Sequence, residues 1–356
     1  MLVQQQAVAR VVPPPQVMVR VASDPEKWDA YVSVHPDASA YHFFLWRDVI
    51  AAAFGHQSTY LIAEAAGVVV GVLPLVLFRS RVFGRFAVSL PFLNYGGMLA
   101  DSIEAEDALL ASAIEETRRL GGAYLELRHT RQHFPSLQAK RHKVAMEVTV
   151  QPSEDAQWHA IDRKVRNQVR KGQKSGLHTV IGGAELLADF YTVFARNMRD
   201  LGTPVYGVRW FTEVLTALAD RSRLFVVYSG AQPVAAALVH WHRSTIEVPW
   251  ASSLREFNPQ CANVLMYWEM LRFAVERGFH RLDLGRSTPG EGTFQFKQQW
   301  GAEPRPLVWE YWMAEGRSLP NLSPANPRFS MAIHVWRQLP VALTRIIGPR
   351  IVAHIP

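Results

Sequence analysis

The chain alternates between short apolar, β-branched runs and longer amphipathic stretches, and it goes through that order twice. In the first half, TYLIAEAAGVVVGVLPLVLFRS holds two apolar runs around Ala65-Ala66-Gly67, which predicts a β-hairpin. Pro74 in the second run predicts a bulge or an edge position there, because proline cannot donate to a ladder. LPFLNYGGML follows as a turn-rich segment. SIEAEDALLASAIEETRRLGG then has helical spacing with a glycine stop at Gly121-Gly122, and AYLELR reads as a strand. In the second half, RLFVVYSGAQPVAAALVHW predicts a hairpin around Ser229-Gly230 and STIEVPWAS a further strand. NVLMYWEMLRFAVERGF predicts a helix ending at Gly278, and HRLDLG the closing strand. RRLGGAYLEL echoes VERGFHRLDL, and the hairpin-to-strand distance is about 50 residues in each half, as an internal duplication would give.

The patterning breaks near VTVQPSEDAQ, where Pro152, Ser153, Glu154 and Asp155 interrupt the apolar positions. We therefore expect a flexible lead-in at 1–19 containing VVPPP, a first domain at 20–150, a second at 151–315, and a Pro-rich spacer with a basic amphipathic tail at 316–356. The fold class expected is α+β (mixed α/β). For the tail, packing on its own domain competes with contact to an anionic membrane surface; Pro340 and Pro349 divide it into short pieces.

Composition narrows the function classes. A length of 356 residues suits two domains, and 49% hydrophobic with 11% aromatic residues suits ordinary cores. A net charge of +7 favours anionic partners. The single cysteine, Cys261, excludes an internal disulfide and a multi-cysteine zinc site, and its neighbours suggest buried packing. The N-terminus lacks the pattern of a signal peptide, and no apolar run reaches the ~20 residues of a membrane helix.

Three stretches carry candidate chemistry. IDRKVRNQVRKGQKSG has a narrow stripe of Ile161, Val165 and Val169; its remaining faces hold Lys164, Arg166, Asn167 and Arg170 among other cations. A solvated charged helix competes there with a phosphate-binding strip, since arginine forks pair with phosphate oxygens. LPFLNYGGML sets Asn94 and Tyr95 before two glycines, either as a turn or as a place where a ligand approaches the backbone. LDLGRSTPGEGTFQFKQQWG is the densest. Asp283 and Arg286 flank a strand end, as an ion pair pinning the loop or as ligand contacts, and Gly290 and Gly292 lie in a loop, Thr288 to Thr293, where regular structure is not expected. Lys297 follows among Phe296 and Trp300. His129 and His133 lack the helical context of a metal site, so no metal is expected.

NYGGMLAD, KVRNQVRKGQKSGL, NMRDLGTPVYGVRWF, NPQCANVLMYW, LDLGRSTPGEGTFQFKQQWGAEP and the tail from NPRFSMAI resemble, in order along the chain, the FemAB-like branch of the GNAT acyltransferase superfamily. Within it they are most similar to FemAB-related proteins of the PEP-CTERM and exopolysaccharide-associated type. The resemblance implies two tandem GNAT-like domains, each a twisted mixed sheet flanked by helices. It also implies transfer of an aminoacyl group from aminoacyl-tRNA, or an acyl group from acyl-CoA, to an amine, with no permanently bound cofactor. The family's F-K-x-x-[WF]-G motif falls on Phe296, Lys297, Trp300 and Gly301, and its lysine is placed to stabilise developing negative charge or to hold the donor. GNAT proteins also cradle a pyrophosphate with a Q/R-x-x-G-x-G/A loop at a helix start. RRLGGA matches the letters at Arg118, Gly121 and Ala123 but ends a helix, and the run from Gln298 fails at Glu303.

The expected function is therefore acyl or aminoacyl transfer to an amine on a glycan, a lipid-linked sugar or a nucleotide-sugar precursor of the cell envelope or an exopolysaccharide. The alternative is a non-catalytic double-GNAT binding protein. Lys297, Asp283 and Arg286 are the catalytic candidates, with Asp283 a base or an orienting group. Donor and substrate contacts are expected from Asn94, Tyr95, Lys164, Arg166, Asn167, Arg170, Tyr206, Asn263, Gly290, Gly292, Phe296 and Trp300. tRNA is a candidate donor and DNA is not expected, because no stacking aromatics interleave with the basic run. The expected location is cytoplasmic, at or near the inner face of the cytoplasmic membrane.

Overall fold

A computed structural model describes residues 16–80, 83–320 and 327–355 of the chain. The first half runs β1 (Val17–Val21), α1 (Pro25–Val34), α2 (Trp46–Phe54), β2 (Gln57–Ala65), β3 (Val68–Ser80), β4 (Gly84–Val88), β5 (Leu99–Ala100), α3 (Ile103–Arg119), β6 (Tyr124–His129), β7 (Gln138–Lys140) and β8 (Val144–Thr149). The second runs α4 (Glu154–Ala160), α5 (Arg163–Lys174), β9 (Leu177–Gly182), α6 (Leu187–Leu201), α7 (Val208–Ala217), β10 (Ser222–Ser229), β11 (Gln232–His242), β12 (Thr245–Ser253), α8 (Ala262–Glu276), β13 (Arg281–Ser287), α9 (Gly292–Gln298), β14 (Glu303–Pro306) and β15 (Val308–Met313). Two tail helices follow, α10 (Pro327–Gln338) and α11 (Val341–Val352).

These elements build two mixed sheets. The first is ordered β1-β2-β3-β4-β6-β15-β7 with β5 on β3, the second β14-β8-β13-β12-β11-β10-β9. The duplicated order read from the sequence reappears in space: in each sheet an antiparallel hairpin leads to a parallel pair, β4 with β6 and β12 with β13. Each parallel pair is joined through a helix, α3 or α8, because parallel strands need a long crossover. Ser102 caps α3 through Ala105 N–H, and α3 buries Ala105, Leu109, Ala113 and Thr117 at four-residue steps.

The expected boundary at 150 and 151 does not separate the sheets. β8, inside the expected first domain, pairs with β13 and β14 of the second sheet, and β15, inside the expected second domain, sits between β6 and β7 of the first. Each half lends the other one strand. Their cores are also continuous: one apolar cluster runs from Trp28, Phe44 and Trp46 of the first half to Phe190, Trp210 and Trp250 of the second. Trp210 lies 5.8 Å from Trp46 and 5.1 Å from Phe54, ring centroid to ring centroid.

Other expectations need local correction. Residues 1–15 of the expected lead-in lie outside the described residues, but 17–19 already belong to β1, which pairs with β2. Pro74 is neither at an edge nor at a bulge. It pairs with Tyr60 within β3, and on the other side it falls between the residues that pair with β5 and those that pair with β4, where its missing N–H costs no ladder bond. The glycine loop is shorter than expected, since Gly292 and Thr293 form the first turn of α9. In the tail Pro340 caps α11 and Pro349 lies inside it, with Thr344, Gly348 and Val352 facing inward.

Candidate active site at the junction of the two sheets

The site grows from a divergence of two parallel strands. β12 and β13 pair only at Thr245–Arg281, Ile246–Leu282 and Glu247–Asp283, after which both continue without pairing each other. Beyond that point backbone groups on both strands lack each other as partners, which makes the wedge a natural place for a ligand. Gly285 lies in it with φ +76, and a Cβ there would meet Val248 O at 3.0 Å and Asn94 Nδ2 at 3.1 Å. Only glycine tolerates both that conformation and that approach.

The last paired residues are both carboxylates, and both are buried. Tyr95, delivered by the loop between β4 and β5, bridges them: its hydroxyl lies 2.9 Å from Asp283 Oδ2 and 3.1 Å from Glu247 Oε1. Asn94 donates to the Tyr41 hydroxyl at 3.0 Å, and the Tyr41 ring packs edge-on against both Tyr95 and His240. His240 Nδ1 approaches Glu247 Oε2 to 3.0 Å. Burial pushes Asp283 up to about 7, with the Glu247 charge adding to the rise; the Gly285 N–H and the Tyr95 hydroxyl pull against it.

Lys297, on α9, reaches back to the same strand. Its ammonium donates to the carbonyls of Gly285 and Arg286, each at 3.0 Å, and the residue is 7% exposed. A lysine has three N–H groups, so one is left over. Burial lowers its pKa to about 8; the Asp283 charge opposes that shift and the Arg286 charge adds to it. The expected Asp283–Arg286 ion pair is not formed. Asp283 accepts instead from Gly285 N–H at 2.7 Å, and a register break between Asp283 and Arg286 turns the arginine away. Arg286 stacks on Trp309 of β15, with Cζ 5.4 Å from the ring.

Beside Tyr95 and Glu247 opens a cleft of about 550 Å³ between the two halves. Asp37 and Glu147 of the first half and Glu247 and Glu303 of the second line it, with Arg281 and Arg305 as the cations. Arg305 is paired with Glu147 at 3.2 Å, so carboxylates prevail, which suits an amine.

The remaining sequence candidates divide. Lys164 and Asn167 line an open hollow on α5, whereas Arg166 donates to the carbonyls of Trp158 and His159, and Arg170 stacks on Trp158. The basic strip is thus half committed to holding α4. The helix packs on α8 near its start, where Gly172 approaches the carbonyls of Gln260 and Cys261. Asn263 is half-buried in the first turn of α8. Tyr206 belongs to the aromatic core near Phe194 and Trp210. Phe296 and Trp300 pack on Tyr267 of α8, and Trp300 is buried in the core of the second sheet; both therefore anchor α9. Gly290 and Gly292 stand in open space. Arg118 lies in the last turn of α3 and Gln298 ends α9, so neither partial pyrophosphate motif begins a helix.

The first sheet has the same divergence, between β4 and β6, but the chain fills it. Residues 86–100 are buried without exception. Ser89 N–H bonds to Glu126 O at 2.9 Å, and Gly96 N–H to Arg128 O at 3.2 Å. A Cβ on Gly97 would lie 2.0 Å from the His129 ring. The two glycines of NYGG are thus approached by the protein's own Leu90 and His129 rather than standing open to a ligand.

Residues 161–298 match the acetyltransferase (GNAT) domain model. The match lies within the second half and ends one residue past Lys297. No curated protein matches the chain. Among solved structures, FemX superposes with a TM-score of 0.63 at 15% identity, over 83% of this chain and 96% of that one. L-PGS from Bacillus licheniformis gives 0.54 at 11% identity, over 91% and 97%. A tandem GNAT protein from the clavulanic acid biosynthesis pathway gives 0.51 at 13% identity, over 85% and 99%. At these identities the likeness is one of fold: two GNAT-type sheets in tandem, arranged as in FemX.

Sequence reasoning missed Glu247, Tyr41 and Trp309. For Glu247 a signal existed, a carboxylate in the middle of the apolar strand STIEVPW. Nothing local marked Tyr41, which reaches the site from the first half of the chain, or Trp309, which reaches it from a strand lent to the first sheet.

Proposed function

We propose that the protein is an acyl- or aminoacyltransferase whose single reaction centre lies where β12 and β13 diverge. The observation that carries this reading is the Glu247–Tyr95–Asp283 bridge beside Lys297, inside the GNAT domain and at the inner end of an acidic cleft. The acceptor amine enters through that cleft. Its nitrogen attacks the acyl carbonyl, and a carbon–nitrogen bond forms as the bond to the leaving sulfur or oxygen breaks. The amine proton passes to Asp283, whose raised pKa suits a base near neutral pH. Lys297 supplies positive charge to the developing oxyanion or to the donor. The donor is acyl-CoA or aminoacyl-tRNA, and the acceptor an amine on a glycan, lipid-linked sugar or nucleotide-sugar precursor.

The filled first wedge supports a division of labour in which the first half shapes the acceptor side and binds no donor of its own. Among the described residues no helix is long and apolar enough to cross a membrane. The tail, with apolar side chains exposed between arginines, supports peripheral contact with an anionic membrane.

The test is acyl transfer to amine acceptors from acetyl-CoA, longer acyl-CoAs and aminoacyl-tRNA, with Lys297→Met alongside. Turnover should appear with one donor class and fall by roughly two orders of magnitude in the variant with KM for the acceptor little changed. Because Lys297 holds two buried carbonyls, its loss should also lower the unfolding midpoint, and activity is compared below that midpoint. Full turnover by folded Lys297→Met would remove the lysine from the chemistry, and no turnover with any donor would favour a binding protein.

A further inference from the structure

The cations where the exchanged strands cross between the sheets are not used by the reaction centre described above. Trp309, on β15, has two of them and a histidine ring around it. The Arg128 guanidinium of β6 lies 4.5 Å from its ring and that of Arg286 5.4 Å, while the His142 ring lies 5.9 Å away, edge-on. Lys143 stands on the same crossover, where its carbonyl receives Leu307 N–H at 3.1 Å. Burial and Lys143 are the main causes that hold His142 below its ordinary value, and burial lowers Lys143.

Opposing charge is short. Glu126 pairs with Arg128 at 2.7 Å. Lys143 donates to Thr288 Oγ1, a neutral oxygen, at 2.6 Å. Arg286 has five N–H groups and, among the described residues, no hydrogen-bond acceptor and no ion pair, although most of its surface is buried. Arg128 is 1% exposed and its Nη1 is likewise without a partner. Like charges held together, mostly out of water and short of acceptors, are costly unless an anion completes them.

We propose that Arg286, backed by Arg128 and flanked by His142 and Lys143 around Trp309, binds a phosphate-bearing group of a substrate. This rests on the acyl-transfer reading only for what the phosphate belongs to. Arg286 is the contact residue, since it is the less buried of the two arginines and its planar fork suits bidentate pairing with phosphate oxygens. Its carbonyl is held by Lys297, which places the anion beside the reaction centre. Two substrates could supply the group: the pyrophosphate of a nucleotide-linked acceptor or that of a CoA donor.

The experiment is titration of the full chain with inorganic pyrophosphate by calorimetry at low ionic strength, followed by competition with UDP and with CoA. Arg286→Gln should weaken pyrophosphate binding at least about tenfold. Arg350→Gln, which removes the same charge from the distant tail, should leave it unchanged. Should the glutamine variant not fold, Arg286→Lys keeps the cation and should still weaken binding by losing the fork. Competition by UDP assigns the phosphate to the acceptor and competition by CoA to the donor. Pyrophosphate binding that is absent, that is equal in the Arg286 variants, or that neither compound displaces would overturn the proposal. Because no acyl transfer is measured, binding without activity would leave this site standing while the reaction assignment falls.

Discussion

The hydroxyl of Tyr95 decides how two buried carboxylates coexist. Glu247 and Asp283 are the last paired residues of parallel strands, and the Glu247 charge adds to the burial that raises Asp283. The tyrosine bond lowers the pKa of Asp283, against the larger effects of burial and of Glu247. Removing it in Tyr95→Phe should therefore raise that pKa further. If Asp283 is the base, kcat/KM rises as the proton leaves, so the acid limb near pH 7 should move to higher pH in the variant. Each pH unit of movement corresponds to about 1.4 kcal/mol. The loss of rate should be largest below neutrality and should shrink as the medium becomes alkaline. An unmoved limb with uniformly lower activity would mean that Tyr95 only packs. Of this cluster, Asp283, Lys297 and Tyr95 could be picked out by residue type and motif. Glu247 could not be paired with them, because the register of β12 against β13 is a long-range property.

Among the elements, the tail helices show most directly what pattern can and cannot convey. Residues 316–356 contain five arginines and no acidic residue, which is plain from the sequence. That Met331, Val335, Leu343 and Ile346 stand exposed while Thr344, Gly348 and Val352 are buried depends on how the helices lie on α6 and its flanking loops. Gly348 packs onto the backbone of Val205, Arg345 stacks on Tyr191, and Arg199 donates to Leu339 O at 2.9 Å. The outward face of α11 thus pairs apolar side chains with Arg350, the arrangement that suits an anionic interface. The protein should cosediment with phosphatidylglycerol vesicles and much less with phosphatidylcholine. High salt should weaken binding, and Ile346→Asp should reduce it severalfold. Equal binding to both lipids, or none, would assign the exposed face to another partner.

For the molecule as a whole, the reciprocal loan of β8 and β15 makes the two halves one cooperative unit. Each strand completes the sheet of the other half, and the shared aromatic core from Trp46 to Trp210 adds to that dependence. The full chain should unfold in a single calorimetric transition. Chains cut at the expected boundary, 1–150 and 151–356, should each lack an interior strand, expose its partners, and show no cooperative melting on their own. Independent cooperative melting of either fragment would show that the exchange is dispensable. The duplication was visible as repeated order in the sequence. The exchange was not, because a strand such as VAMEVT carries no mark of which sheet it will join.

By itself the sequence determined the element order, the two α+β units and the dense stretch around Lys297, since hydrophobic period, glycine stops and proline breaks act over a few residues. Tertiary structure alone decided the rest. It filled the first wedge with residues 86–100, buried Phe296 and Trp300 as anchors, and separated Arg286 from Asp283 by a break in register. It also brought Tyr95 of the first half, and Trp309 on a strand of the first sheet, to a site built mainly on the second sheet. Those outcomes depend on pairing and packing between residues that are often more than a hundred positions apart, which no local pattern encodes.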